Sequence, residues 1–179
     1  KPRFKEDEHG RVNLKELNLI QNVMAGDVLA ELQAPRAGTK GMNVKGEELL
    51  PQETHAAALP KGQNVSISPD GTQLIADIDG HVFFNGTVNV SDVYEVETVD
   101  AATGNIRFNG SVIVKGEIGD GYEVHAAKSI TVAMSVGRVV LVSAGDITID
   151  GGILGQEKAI IRAGGEIHAN FIQDIDELE

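Results

Sequence analysis

The chain contains no cysteine and no tryptophan. Without cysteine there is no disulfide framework, no thiolate metal ligand and no cysteine nucleophile. Aromatic residues are 4% of the 179, few for a surface that stacks on sugar rings. No apolar run approaches the ~20 residues that cross a bilayer as a helix. No signal peptide is recognisable, so a cytoplasmic location and no membrane insertion are expected. Basic residues are scarce as well: 15 Lys and Arg stand against 27 Asp and Glu, a net charge of -12. Residues 1–60 are close to neutral, so nearly all of that charge falls on residues 61–179. Nucleic-acid binding depends on basic groups against phosphates, and an acidic region of this kind argues against it.

What is abundant is glycine, 21 residues, together with Val, Ile, Ala and Leu. Many glycines and many β-branched residues fit repeated short strands and tight turns better than helices. Apolar residues reach 41%, enough to bury a core.

Residues 11–33 (RVNLKELNLIQNVMAGDVLAELQ) allow a short helical face at Leu14, Leu17 and Ile20. Gly26-Asp27 interrupts it and reads as a turn between strands. Pro35, Gly38, Gly41 and Gly46 punctuate the next stretch. Residues 1–60 are therefore expected to form a small N-terminal β module. From Asn64 to Asp100 apolar and polar residues alternate around Pro69-Asp70-Gly71 and Asp79-Gly80. This is a hairpin pattern, expected to be antiparallel and to cap the C-terminal section.

That last section repeats. VHAAKSITV (Val124–Val132), VSAGDITI (Val142–Ile149) and IRAGGEIHA (Ile161–Ala169) each place an Ala three or four residues before an Ile. Ala126, Ala144 and Ala163 are 18 and 19 residues apart. A period near 20 marks a solenoid, in which no single unit buries its own apolar face. The expected fold is mainly β, a short right-handed parallel β-helix preceded by the small β module and the antiparallel hairpins. The β-helix domain is expected over 61–179, with a hairpin cap at 64–100 and coils at 101–173. One interior column is expected from Ile106, Ile130, Ile147 and Ile167, and the next from Phe108, Val132, Ile149 and Ala169. Another wall is expected from Val124, Val142 and Ile161, with Ala126, Ala144 and Ala163 at its corner. Gly145, Gly164 and Gly165 would supply conformational freedom there.

Many β-helices are polysaccharide lyases or hydrolases, which need clustered carboxylates in a groove. Outward positions here stack into one ladder of Asn105, Ser129, Asp146 and Glu166, and a second of Arg107, Thr131, Thr148 and His168. Asp146 and Glu166 would lie on neighbouring coils, ~4.8 Å apart in strand spacing. No Lys or Arg is expected beside them, and the repeats lack the insertions that build a groove, so no catalytic residue is assigned. The five His are scattered with no metal-ligand spacing, so no metal site is expected. No cofactor site is expected, because the Gly-rich runs lack a strand–loop–helix setting.

Taken in order, GRVNLKELNLIQNVMAGDVLAEL (Gly10–Leu32), GTKGMNVKGEEL (Gly38–Leu49) and SPDGTQLIADIDGHV (Ser68–Val82) lead to three later runs. These are GNIRFNGSVIVKGEI (Gly104–Ile118), SAGDITIDGGILG (Ser143–Gly155) and IIRAGGEIHANFIQ (Ile160–Gln173). The set resembles the bacterial flagellar assembly protein A family across nearly the whole chain. The resemblance implies a β-helical core behind a small N-terminal domain. It also implies a helical continuation, of which Asp174–Glu179 would be the solvated start. Because the sequence begins at Lys1 rather than Met, it reads as part of a longer protein. The function expected is a non-enzymatic scaffold or protein-interaction module linked to flagellar assembly or polar organisation. Its protein partners are unidentified, and a homo-oligomer through the C-terminal end of the β-helix is the other association expected. Two alternatives are a polymerising element like the bactofilins and a carbohydrate-active or glycan-binding β-helix.

Overall fold

Short alternating runs bounded by glycine and aspartate can only make short strands. In a computed structural model of the chain, which describes residues 15, 19–34, 38–51, 57–156 and 158–179, β-strands are the only regular elements. The N-terminal part contains β1 (Asn22–Val23), β2 (Val28–Glu31), β3 (Gly41–Met42), β4 (Glu48–Leu49), β5 (Val65–Ile67), β6 (Gln73–Ala76), β7 (Gly80–Phe84) and β8 (Val88–Ser91). They pair antiparallel as β1-β7-β8, β2-β6-β5 and the separate hairpin β3-β4. The Gly26-Asp27 turn forms as expected: Gly26 has φ 94° and the Met24 N–H donates to the Asp27 carboxylate at 2.8 Å. Its two strands do not pair with each other, however. β1 returns to β7 and β2 to β6, because each needs a longer apolar strand to cover. The stretch 11–14, like 16–18, lies outside the described residues.

The two larger sheets close on Val23, Val65, Leu74, Ala76 and Val90, with Leu29, Leu59 and Val82 packed around them. Residues 61–91 therefore belong with the N-terminal strands, and the division expected between residues 60 and 61 moves to the β8 end. Alternation shows that 64–91 are strands; it does not show which core they close.

The next strand, β9 (Val93–Val96), is expected to be antiparallel and is not. It pairs parallel with β11 (Ser111–Val114) and begins the solenoid. The remaining strands are β10 (Ile106–Phe108), β12 (Glu123–Ala126), β13 (Ile130–Val132), β14 (Val140–Ser143), β15 (Ile147–Ile149), β16 (Ile153–Leu154), β17 (Ile160–Ala163), β18 (Ile167–Ala169), β19 (Ile172–Gln173) and β20 (Glu177–Leu178). All pair parallel. The first wall is β10-β12-β14-β17-β20 and the second is β9-β11-β13-β15-β18. A narrower third wall is made by β16-β19 and the bridges Val99–Ile118 and Val136–Ile153. The solenoid thus extends beyond 101–173 at both ends. Residues 174–179 are not the start of a helix. Ile175 packs on the core, and β20 completes the first wall with Glu177 paired to Ile160.

Ile106, Val124, Leu141 and Ile161 line the first wall; Val112, Ile130 and Ile147 line the second; all are fully buried. Ordering a coil of about 18 residues costs about 18–36 kcal/mol of backbone entropy. The few aliphatic side chains it buries return about 1.5–3 kcal/mol each, so a coil persists only between neighbours.

The register corrects three expected placements. Ile106 and Phe108 stand on the first wall, opposite Val124 and Ala126; Val112 and Val114 fill their expected places beside Ile130 and Val132. Leu141, not Val142, faces inward between Val124 and Ile161. Ser143, not Ala144, stacks between Ala126 and Ala163. It is buried, and its hydroxyl donates to the Gly145 carbonyl at 2.7 Å.

The corner glycines also act differently from expectation. None of Gly145, Gly164 and Gly165 is among the residues with positive φ. A Cβ on Gly145 would stand 2.7 Å from the Lys128 carbonyl oxygen, and one on Gly164 would meet the Ala144 carbonyl oxygen. These corners need glycine because the coil beneath is too close.

Candidate functional site

Three of the four residues of the outward ladder stack. Ser129, Asp146 and Glu166 each precede the aligned residues Ile130, Ile147 and Ile167. Asn105 does not join them. It precedes β10 at the corner between the third and first walls, where its Oδ1 accepts the Glu123 N–H at 3.1 Å. Ser111 holds the rung below Ser129, with the Ser129 hydroxyl donating to the Ser111 hydroxyl at 3.0 Å. The second ladder divides the same way. Thr131, Thr148 and His168 align with Ile113, whereas Arg107 aligns with His125, Val142 and Arg162 on the first wall.

Asp146 and Glu166 are adjacent, and their hydrogen bonds are local. One oxygen of Asp146 accepts the Glu166 N–H at 2.9 Å. The Glu166 carboxylate lies 3.0 Å from Nε2 of His168, and both side chains are largely exposed. Asp146 thus ties its corner to the next coil through the Glu166 main chain, while the Glu166 carboxylate turns to His168 on its own coil; each acid is engaged locally rather than paired for glycosidic chemistry. Among the described residues no group of three or more His, Asp or Glu is placed to hold a metal ion.

Four ion pairs of the solenoid join coil to coil. Lys115 reaches Glu95 at 2.8 Å, and Lys128 reaches Asp92 at 2.7 Å. Arg138 grips Asp120 through Nε and Nη2 at 2.9 and 2.5 Å. Arg162 takes both oxygens of Glu177 at 2.9 and 2.8 Å. The charges respond accordingly. The Lys128 ammonium holds Asp92 below the usual carboxylate range, and the Arg138 guanidinium does the same for Asp120. Glu95 raises Lys115, and Glu177 raises Arg162.

On the first wall these pairs leave a half-buried apolar strip of Val140, Val142 and Ile160. Charged and polar side chains border it on both sides, Arg107, Glu123 and His125 toward one end and Arg162, Glu177 and Glu179 toward the other. An apolar centre with a charged rim is the anatomy of a protein-contact surface. Period counting missed it, because Val140 to Val142 is an unbroken apolar run with no alternation to read.

A second junction lies where the N-terminal strands meet the first coil. Asn22 donates from Nδ2 to the Arg107 carbonyl at 2.9 Å, and Lys15 donates to the Gly121 carbonyl at 2.6 Å with its ammonium over the Tyr122 ring. The Lys15 carbonyl accepts the Asn105 N–H at 2.6 Å. The edge of β10, which would otherwise be open, is thereby occupied.

Residues 92–177 match a family model described as the Flagellar Assembly Protein A beta solenoid domain. Residues 1–87 match one described as the Flagellar Assembly Protein A N-terminal region. No curated protein and no solved structure matches the chain.

Proposed function

The chain belongs to the flagellar assembly protein A family, and from that premise we propose that it is a non-enzymatic platform in flagellar assembly. The observation that carries this reading is the use made of its charges. Asp92, Glu95, Asp120 and Glu177 each bind a cation from another coil, and Asp146 binds the main chain of the next coil. Charge arranged this way stiffens a stack, whereas general acid–base chemistry needs groups that converge on one point. A stiff stack with flat walls positions partners by their contacts with it. The first wall, with its strip at Val140, Val142 and Ile160, is where a protein partner docks on this reading. The protein then works in the cytoplasm. A second copy would meet it at the last coil, where Ile172 and Leu178 are exposed. A bactofilin-like filament fits less well, since Lys15 and Asn22 occupy the edge of β10 that end-to-end growth would use.

The test is a strain lacking the gene, with flagella counted and mapped by electron microscopy. We expect fewer or misplaced flagella, restored both by the wild-type protein and by the double variant Asp146→Asn, Glu166→Gln, which removes both carboxylates but keeps an oxygen to accept the Glu166 N–H. Normal flagella in the deletion strain would end the flagellar link. Failure of the folded double variant to restore them would end the non-enzymatic reading.

A further inference from the structure

His81 of β7 sits between the two parts of the molecule. It is in register with Asn22 of β1 and Ser91 of β8. Its ring stacks on Phe83 of the same strand, centroids 5.3 Å apart and planes at 26°. It meets two rings of the first coil edge-on, Tyr94 at 5.4 Å and 88° and Phe108 at 5.7 Å and 73°. Tyr94 and Phe108 are themselves 5.9 Å apart. The ring thus joins the N-terminal sheet to the solenoid core. Its Nδ1 is buried and has no hydrogen-bond partner.

We propose that His81 is a proton-controlled latch: neutral, its ring closes the junction, and protonated, it leaves the ring cluster and releases the N-terminal sheet from the first coil. A proton on both ring nitrogens makes Nδ1 an obligatory donor. A buried charged donor with no acceptor is strongly disfavoured. Burial accordingly pushes the imidazole below its ordinary value of 6.5, against a smaller upward pull from the Ser91 main chain.

Among the described residues, the groups facing the ring do not rescue the cation, and the Ser91 main chain pulls it up less than burial pushes it down. Tyr94 is neutral and held so by burial, which raises it. Glu95 beside it on β9 is engaged by Lys115, and Asp92 at the start of that strand is engaged by Lys128. The charged side chain of β10 is Arg107, of the same sign as the imidazolium, and the β1 residue in register with His81 is the neutral Asn22. Asp79, just before β7, accepts the Ala25 N–H. The face of Phe83 favours a cation, but stacking does not supply the missing acceptor.

The folded value lies below the unfolded one. The contribution of His81 to docking is therefore complete above pH 6.5 and is lost as pH falls below it toward the folded value.

Hydrogen exchange of the whole chain at pH 7.5 and pH 5.0, corrected for intrinsic rates, tests the latch. We expect amides of β1, β7 and β9 to lose protection at pH 5.0 relative to pH 7.5, with β13 and β15 unchanged. His81→Phe and His81→Gln, which cannot take up the proton, should show no such pH response. The proposal is overturned if the wild-type junction is equally protected at both pH values. It is also overturned if β13 and β15 open with the junction, or if either folded variant keeps the wild-type response. Should His81→Phe fail to fold, His81→Gln decides.

Discussion

Among the described residues, eighteen apolar side chains are buried in the solenoid core and five in the N-terminal core. The exposed large apolar side chains among them run the other way, with ten before residue 92 and five after it. The strands are equally short in both regions, so strand length does not explain the contrast. In the solenoid each inward residue lies between equivalent residues above and below, so Ile147 is covered by Ile130 and Ile167 at once. In the N-terminal region each sheet has a single apolar face to cover, and the two-residue strand β3 buries neither of its residues. Repetition lets small aliphatic side chains fill an interior without aromatics. Where repetition is missing, the only ring cluster among the described residues gathers at the junction.

The largest effects should come from removing one core residue on each side of this contrast. Ile147→Ala and Leu74→Ala each truncate a fully buried side chain, a change that costs about 2–5 kcal/mol. If the regions are energetically separate, exchange of the solenoid amides alone responds to the first and of the N-terminal amides alone to the second. Equal responses throughout would show one cooperative unit.

A smaller effect separates two kinds of glycine. Gly164→Ala pushes a methyl group against the Ala144 carbonyl and should lose about 1–3 kcal/mol in denaturant unfolding. Gly26→Ala meets no atom within 4 Å but must hold φ 94°, which costs about 1–2 kcal/mol. If Gly164→Ala is the milder change, close approach between coils is not what selects glycine at the corner.

At the β5–β6 turn the Ser68 hydroxyl, and then Thr72, hold Asp70 at a pKa of about 2. The sign is that of a depressed carboxyl: the contribution is present above the unfolded value near 3.8 and is lost as pH falls toward about 2. A carbon-detected titration should place the Asp70 carboxyl near 2, and a midpoint near 3.8 would remove the turn's hydrogen bonds from the account.

The smallest effect concerns the coil-to-coil ion pairs. A double-mutant cycle on Arg162 and Glu177, both partly exposed, should give a small coupling that shrinks further as salt is added. A much larger value would move part of the solenoid's stability from its aliphatic columns to its surface.

Much of this was legible residue by residue. The Ile130–Ile147–Ile167 column stands as the repeat indicated. The failures cluster where alternation gives no parity. Val139 to Val142 is four apolar residues in a row, so either parity fits, and aligning Ala144 with Ala126 chose the wrong one. Ile106 and Phe108 match the pattern of both walls, because every coil contributes an inward pair to each. In the acidic ladder Ser129, Asp146 and Glu166 were placed together from spacing alone, and Asn105 was lost to the other wall with Ile106. The His81 cluster had no signal in spacing, since Tyr94 and Phe108 stand on different walls and come together only once the coil bends between them.

Composition and period determined that this chain is β, repeating and acidic, because side-chain direction alternates along any strand and glycine marks any tight turn. Tertiary structure decided which wall each strand joined, where the N-terminal core ended and which carboxylates found partners. Those depend on the coil above and below, and a strand's own pattern is the same whichever neighbour it meets.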